Sequence, residues 1–364
     1  MPIIYNYTKS GLEHLMSQLG EKPFRAQQIM RWVYHQSVGS FEDMVNIPKA
    51  LRQKLAENFT FELPQIEKEL TSSCGTTKWL FHFGDKNAFE TVYIPESNRG
   101  TLCISSQIGC ALACQFCATG MAGFYKNLST AQIIGQVFLA RSILAKRTNK
   151  KHPITNVVFM GMGEPLLNEQ QVFDAVSILL DDLAFGLSKY KVTISTSGIT
   201  PAMRRMVEHT HAALAVSLHA GEDEIRSHIV PINKKYPLAD LMQACDHYTQ
   251  STKRPITYEY VMLKGINDQT QHAQALVKLL KHRHAKVNLI PYNPIPDLDL
   301  KCSSVNVIDL FCQHLLQNQI RCTVRRTRGD DIYAACGQLS GSVFDRKKSI
   351  APYLYLREKK AISS

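Results

Sequence analysis

The sequence predicts an α/β protein built on a partial, open barrel of six β/α units, with a small helical region before it and a basic tail after it. Three observations predict this. From Thr101 onward, short apolar runs alternate with amphipathic ones, the pattern of parallel strands joined by right-handed crossovers. Six such units are present, too few to close an eight-fold barrel. Glycines and polar residues collect just after the apolar runs, at the strand ends where parallel α/β sheets bind ligands.

Residues 1–64 read as a helical accessory domain. In KPFRAQQIMRWVYHQ, Phe24, Ile29, Trp32 and Val33 recur at helical spacing, and PKALRQKLAENF follows as a second helix. Residues 65–95 switch to strand-like alternation, in TTKWLFHFGD and AFETVYIPES, and form a strand-rich connector. The barrel occupies 96–326, with strands expected at 101–106, 154–160, 191–196, 213–218, 256–262 and 286–290. Between them, TAQIIGQVFLARSIL is a helix capped by Ser129 or Thr130. TPAMRRMVEH is another, with Thr200 as cap and Pro201 in the first position. RCTVRR is a last strand, and residues 327–364 form a C-terminal segment ending in the basic tail.

The 364 residues suffice for a sizeable core, and 45% are hydrophobic, with no apolar run long enough to span a bilayer. The start, MPIIYNYTKSGLEHL, lacks the cationic-then-apolar pattern of a secretory signal. Ten cysteines in such a chain point to a reducing compartment, where thiols serve as ligands or nucleophiles rather than cross-links. A cytoplasmic protein without a membrane partner is expected. The net charge is +11, and from Arg321 onward ten Lys/Arg stand against four Asp/Glu. Further basic clusters lie at Lys146, Arg147, Lys150 and Lys151, and at Lys278, Lys281, Arg283 and Lys286. Such patches suit a polyanion through counterion release, and equally suit an ordinary solvated surface.

The chemistry concentrates in SSQIGCALACQFCATG. Cys110, Cys114 and Cys117 place three thiolates within eight residues, close enough for one loop to bind one metal centre. A cubane iron–sulfur cluster normally takes four cysteines, so three leave one iron open to a ligand. A structural zinc site, the alternative, prefers four closed ligands in paired CxxC units, and no second CxxC exists here. After the strand at 154–160 comes GMGEP, whose glycines permit close backbone approach and whose Glu164 can hold an ammonium group. An ordinary tight βα turn would carry the same glycines. STSG, SLH and PYNP mark further strand ends. His219 alone reads as readily as a packed histidine, but polar strand ends converging on one rim with a three-cysteine loop make a cofactor pocket.

CxxxCxxC with Phe116 before its third cysteine, together with the glycine-and-glutamate strand end, resembles the radical S-adenosylmethionine (SAM) superfamily. Within it, the FRAQQI helix, TLCISSQIGC, GMGEP, STSG, VSLHA, LIPYNP and RGDDIYAACGQL together resemble the ribosomal-RNA adenine-C2 methyltransferases of the RlmN type, over nearly the whole chain from Pro23 to the tail. The resemblance implies a partial barrel of radical SAM type. It implies that Cys110, Cys114 and Cys117 hold a 4Fe-4S cluster whose open iron chelates SAM. Gly163, Glu164, Ser195, Ser217, Leu218, His219 and Asn293 correspond to SAM-contacting positions. Cys336 matches the cysteine that first accepts a methyl group, Cys103 its partner thiol, and Glu90 the proton acceptor. Spacing alone singles out neither Cys336 nor Cys103, each of which otherwise reads as a small buried hydrophobe.

Carbon 2 of adenine lies between two ring nitrogens and is too electron-poor to attack the methyl of SAM, whereas a carbon radical can add there. By resemblance, a radical from reductive cleavage of a second SAM takes hydrogen from methylated Cys336, and the resulting carbon radical joins carbon 2. Glu90 then receives the ring proton. Cys103 attacks the sulfur of Cys336, releasing product and leaving a transient disulfide that cytoplasmic thiols can reset. The implied partners are 23S rRNA, certain transfer RNAs methylated 3′ of the anticodon, and an external one-electron reductant, with the chain acting as a monomer. The target base must be unstacked, with the N-terminal helices and basic tail gripping RNA. Two rivals remain. One is the Cfr-type enzyme, which methylates carbon 8; the FRAQQI region and RGDDIYAACGQL favour carbon 2. The other is a non-catalytic RNA-binding protein with a zinc or relic cluster, against which the polar strand ends and the Cys103/Cys336 pair argue.

Overall fold

The computed structural model of the chain describes residues 1–84, 87–150, 152–296 and 298–341. Lys151 and the basic tail, with Arg346, Lys347 and Lys348, lie outside the described residues.

The N-terminal region is helical as expected: α1 (Lys9–Gln18), α2 (Phe24–Met30, continued by a π turn over Arg31–His35) and α3 (Lys49–Asn58). Met16, Ile29, Leu51 and Leu55 are fully buried between them, each burial stabilising by about 2 kcal/mol. Two residues of the expected apolar face differ. Phe24 is 46% exposed, and Trp32 is half-buried with its indole N–H donating to Asn46 Oδ1 at 2.6 Å.

The strands β1 (Gln65–Thr71), β2 (Thr77–His82) and β3 (Phe89–Pro95) form an antiparallel meander. The meander belongs to the barrel's own sheet, because β3 pairs antiparallel with β4 (Gly100–Cys103), placing Val92 opposite Cys103. A small hairpin missed by periodicity follows, β5 (Gln107–Gly109) and β6 (Phe124–Asn127), with the four-residue α4 (Ala118–Met121) between its strands.

The β/α units then run in order: α5 (Thr130–Thr148), β7 (Asn156–Phe159), α6 (Glu169–Leu180), β8 (Val192–Thr196), α7 (Thr200–His209) and β9 (Ala213–Ser217). They continue through α8 (Asp223–Ile229), α9 (Leu238–Thr252), β10 (Ile256–Met262), α10 (Thr270–Leu280), β11 (Ala285–Pro291), α11 (Val305–Gln317) and β12 (Arg321–Val324). The sheet has ten strands in the order β1-β2-β3-β4-β7-β8-β9-β10-β11-β12, all parallel from β4 onward. RCTVRR is therefore a seventh parallel strand, and the barrel stays open, with β1 and β12 as its edges.

Ser129 caps α5 in a full capping box, its hydroxyl accepting from Gln132 N–H and Gln132 accepting from Ser129 N–H. Thr200 does not cap α7. Ile199 takes that position, and the Thr200 hydroxyl donates to the Asp240 carboxylate on α9 instead. The N-terminal region docks on α5, where Asn6 Oδ1 accepts from Ala131 N–H at 2.8 Å and the Tyr5 ring lies 5.4 Å from Phe138. Among the described residues, no helix is long and apolar enough to cross a membrane. Two of the basic clusters are partly neutralised, by Arg147 with Glu69 at 2.8 Å and Arg283 with Asp246 at 2.9 Å.

Candidate active site

The three-cysteine loop is built almost wholly by its own backbone. Gly109 enters it at φ +73, and a Cβ there would lie 1.9 Å from the Gly123 carbonyl oxygen, so only glycine fits. Cys110 N–H donates back to that carbonyl at 2.8 Å, Cys117 N–H to Cys114 O at 3.2 Å, and Gln115 N–H to Ile229 O at 3.1 Å. Ala113 is left-handed at φ +51, a conformation that turns the chain sharply between the first two cysteines. All three thiols line a cavity of about 1110 Å³ at the C-terminal ends of the parallel strands.

Burial, aggravated by neighbouring thiols (Cys336 in the case of Cys117), pushes all three up, Cys114 to about 12. A buried trio of thiolates needs a cationic centre to be stable. A cubane, in which each thiolate meets a different iron, suits the set.

The strand ends complete the wall. After β7, Gly163 sits at φ +95, with Gln107 so close that a Cβ would meet it at 2.4 Å. Gln107 Oε1 accepts from Glu164 N–H at 2.8 Å. The Glu164 carboxylate is buried, and burial raises its pKa. It accepts from Ser197 N–H at 2.8 Å and Leu166 N–H at 3.1 Å, with hydroxyls of Thr196 and Ser197 beside it. A raised, buried carboxylate facing a cavity is a fit for an ammonium group.

Ser195 and Ser217 line the same wall from β8 and β9. His219 follows at φ +61, edge-on to Phe116 at 4.6 Å. Burial drives its imidazole down to about 3, so the ring is neutral. Its Nδ1 accepts from Val261 N–H at 3.0 Å, which leaves the proton on Nε2. Leu218 is buried and lies outside the cavity wall, its carbonyl accepting from Arg226 Nε at 3.0 Å.

Residues 329–341 form a strap across the strand ends. It begins with Gly329 (φ +70) and Tyr333 (φ +51) and brings Cys336 into the cavity. Asn293 Nδ2 donates to Cys336 O at 3.0 Å, and Gln338 Nε2 to Pro294 O at 2.9 Å. Gly337 O accepts from Ala118 N–H at 2.8 Å, just beyond the third cysteine of the loop. Cys103, at the end of β4, lines the same cavity, and both it and Cys336 are free thiols. Burial pushes Cys103 up to about 12; nearby Cys336 adds to this and Arg325 opposes it. Glu90 is not in the cavity wall. Its carboxylate is buried beside it, paired with Lys78 and capped by the strap.

Sequence reasoning missed several residues of this site. Arg226 is fully buried and binds the carbonyls of Ser197 (2.7 Å), Ser217 (3.2 Å) and Leu218, stitching the ends of β8 and β9 together. Lys78, Gln338 and Arg325 are the others. Each acts across a long chain separation; Gln107 and Gln338 sit inside motifs but are silent without their partners.

Comparison with known proteins agrees with this fold. A model of the ribosomal RNA large subunit methyltransferase N-terminal domain matches residues 4–61, and one of the radical SAM superfamily matches residues 104–277. The chain is 52% identical over 347 residues to a dual-specificity RNA methyltransferase RlmN from Ruthia magnifica subsp. Calyptogena magnifica, covering 95% of this chain and 97% of that one. A crystal structure of a radical SAM methyltransferase from Sphaerobacter thermophilus superposes with a TM-score of 0.86 at 38% identity, over 93% of this chain and 99% of the other.

Proposed function

The chain belongs to the RlmN-type radical SAM RNA methyltransferases, and from that premise we propose that it methylates carbon 2 of an adenosine in 23S rRNA and of the adenosine 3′ of the anticodon in some transfer RNAs. The observation that carries the reading is that one cavity is lined by the three loop cysteines together with Cys103 and Cys336, thiols far apart in sequence.

Cys110, Cys114 and Cys117 would hold the 4Fe-4S cluster, and the Gly163–Glu164 turn, Ser195, Ser217, the Leu218 backbone, His219 and Asn293 would hold SAM. Together these groups supply, when bound, a methyl group for sulfur and one-electron chemistry at carbon. Glu164 is placed to take an ammonium, and neutral His219 offers an Nε2–H donor. Cys336 carries the methyl group on Sγ, held at the cavity by Asn293 and Gln338. Once that carbon is joined to the base, the proton of carbon 2 passes to the Glu90 carboxylate, and the electrons of the C–H bond stay in the ring. Cys103 then attacks the Cys336 sulfur: an S–S bond forms as the S–CH2 bond breaks, and the freed methylene takes a proton to become the methyl group. The one electron that the external reductant supplied leaves the base for the one-electron couple it came from.

The base must leave its stack to enter the cavity, and the N-terminal helices with the basic C-terminal residues are the elements proposed to grip RNA. Work in the cytoplasm with an external one-electron reductant is part of the proposal. Mass spectrometry of rRNA and transfer RNA from a deletion strain, with and without this protein, tests the reading. Restored 2-methyladenosine in both RNAs is expected, and restoration only of a carbon-8 methyl group overturns it.

A further inference from the structure

Lys78 has no part in the reading above, yet it joins the proton acceptor to the strap. Lys78 on β2 and Glu90 on β3 are diagonal neighbours, since Lys78 lies opposite Val92 and Leu80 opposite Glu90. Lys78 Nζ is 2.8 Å from Glu90 Oε1, with side chains only 11% and 8% exposed. The same ammonium donates to the Tyr333 carbonyl at 2.9 Å. Glu90 Oε2 accepts from the backbone N–H groups of Ser340 at 2.8 Å and Gly341 at 3.3 Å. One ion pair therefore fastens the strap on both sides of Cys336.

Both oxygens of Glu90 are engaged, Oε1 by the Lys78 ammonium and Oε2 by two backbone N–H groups of the strap, so Oε2 meets a base only once the strap lets it go. Withdrawal of Ser340 and Gly341 would uncap Oε2, and Lys78 is then the contact that keeps the carboxylate in place. It reaches Glu90 from a neighbouring strand of the sheet, independently of the strap. We propose that Lys78 is a positioning residue that keeps Glu90 and the near end of the strap, at Tyr333, in fixed relation while the far end releases the carboxylate. Lys78 lines no part of the cavity and acts through Glu90. The inference rests on the reading of Glu90 as proton acceptor.

The test uses full-length, cluster-loaded protein in four variants: Lys78→Met, Lys78→Arg, Glu90→Gln and the double variant Lys78→Met/Glu90→Gln. Intact mass reads methylation of Cys336, and denaturing gels read the covalent RNA adduct. Lys78→Met is expected to keep Cys336 methylation within about twofold of wild type while resolving the adduct at least about tenfold more slowly. Lys78→Arg should restore most of the rate. Amide hydrogen exchange over 333–341 should rise in Lys78→Met without RNA. The double variant leaves no buried unpaired charge, and should trap adduct no more than Glu90→Gln alone. If Lys78→Met resolves adduct at the wild-type rate while Glu90→Gln traps it, the Lys78 proposal is overturned and the acceptor reading stands. Parallel loss of methylation and adduct in Lys78→Met, unrescued by arginine, also overturns it. Normal turnover by Glu90→Gln overturns the acceptor reading itself.

Discussion

The loop carrying Cys110, Cys114 and Cys117 and the strap carrying Cys336 line one cavity but are held by opposite means. The loop is closed by backbone hydrogen bonds and by glycines at positions where a Cβ cannot fit. The strap is held largely by side chains: Lys78, Glu90 and Asn293 from distant elements, and its own Gln338 reaching Pro294. A cluster must stay where it is assembled, whereas the Cys336 sulfur, in the role proposed for it, meets a methyl donor, then a base, then a second thiol, and so has to move. Local backbone closure suits the first task, and a few exchangeable polar contacts suit the second.

The sharpest break in this comparison comes from the cysteines themselves. Cys117→Ala is expected to lose the brown colour of anaerobically purified protein and all SAM cleavage, with iron falling from about four per chain to background. Cys336→Ala should keep its cluster but carry no methyl group and form no RNA adduct. Cys103→Ala should be methylated on Cys336 and accumulate a denaturation-resistant, ribonuclease-sensitive RNA adduct, because no thiolate is left to break the thioether. Trapped RNA on Cys336→Ala would reverse the two roles.

Next in size is the backbone. Gly109→Ala forces a Cβ onto the Gly123 carbonyl at a positive φ, and should cost about 3 kcal/mol, read as a lower midpoint in denaturant and poor iron loading. Loosening the strap should cost less. Gln338→Ala removes a donor to Pro294 and an acceptor for Ala335 N–H, and is expected to lower turnover about fivefold with iron content unchanged. Equal loss of iron in both variants would erase the distinction between loop and strap.

The smallest effect is a titration. Burial holds the Cys103 thiol up at about 12, against about 8.5 for an ordinary cysteine. Above the unfolded value the folded state binds more protons than the unfolded one, so this group lowers stability as pH rises from there toward the folded value. Alkylation of Cys103 by iodoacetamide, followed by peptide mass, should therefore keep accelerating beyond pH 10. A plateau near pH 9 would place the thiol in solvent.

The same contrast explains what the sequence made legible. The pattern from Thr101 revealed the parallel strands because each of the six it counted carries buried apolar residues, such as Val157 and Phe159 in β7 and Val287 and Leu289 in β11. The three-cysteine loop and GMGEP were legible because their chemistry is contiguous. The seventh parallel strand, Arg321–Val324, was recognised as a strand but left out of the barrel count, since an edge strand with three exposed residues shows little apolar pattern. The meander at 65–95 read as a connector because strand pairing, here β3 against β4, is a tertiary fact that alternation does not encode. Thr200 failed as a cap because Asp240 on another helix competes for its hydroxyl. Cys103 and Cys336 came from resemblance alone, and Arg226 and Lys78 were silent: a buried cation is defined by the carbonyls and carboxylates that meet it, not by its neighbours in sequence.

The strap's contacts have a bearing on the order in which the molecule is made. Lys78 meets Tyr333 across 255 residues, Glu90 meets Ser340 across 250, and Ser73 meets Asp331 across 258. During synthesis the amino-terminal portion emerges first and folds first. The helices, the sheet and the cysteine loop can be in place while residues 329–341 are still inside the exit tunnel. A nascent chain in that state has a cavity that lacks both Cys336 and the cap on Glu90. The steps proposed for Cys336 and Glu90 thus wait for the carboxy-terminal residues to clear the ribosome, later than the loop that would hold the cluster.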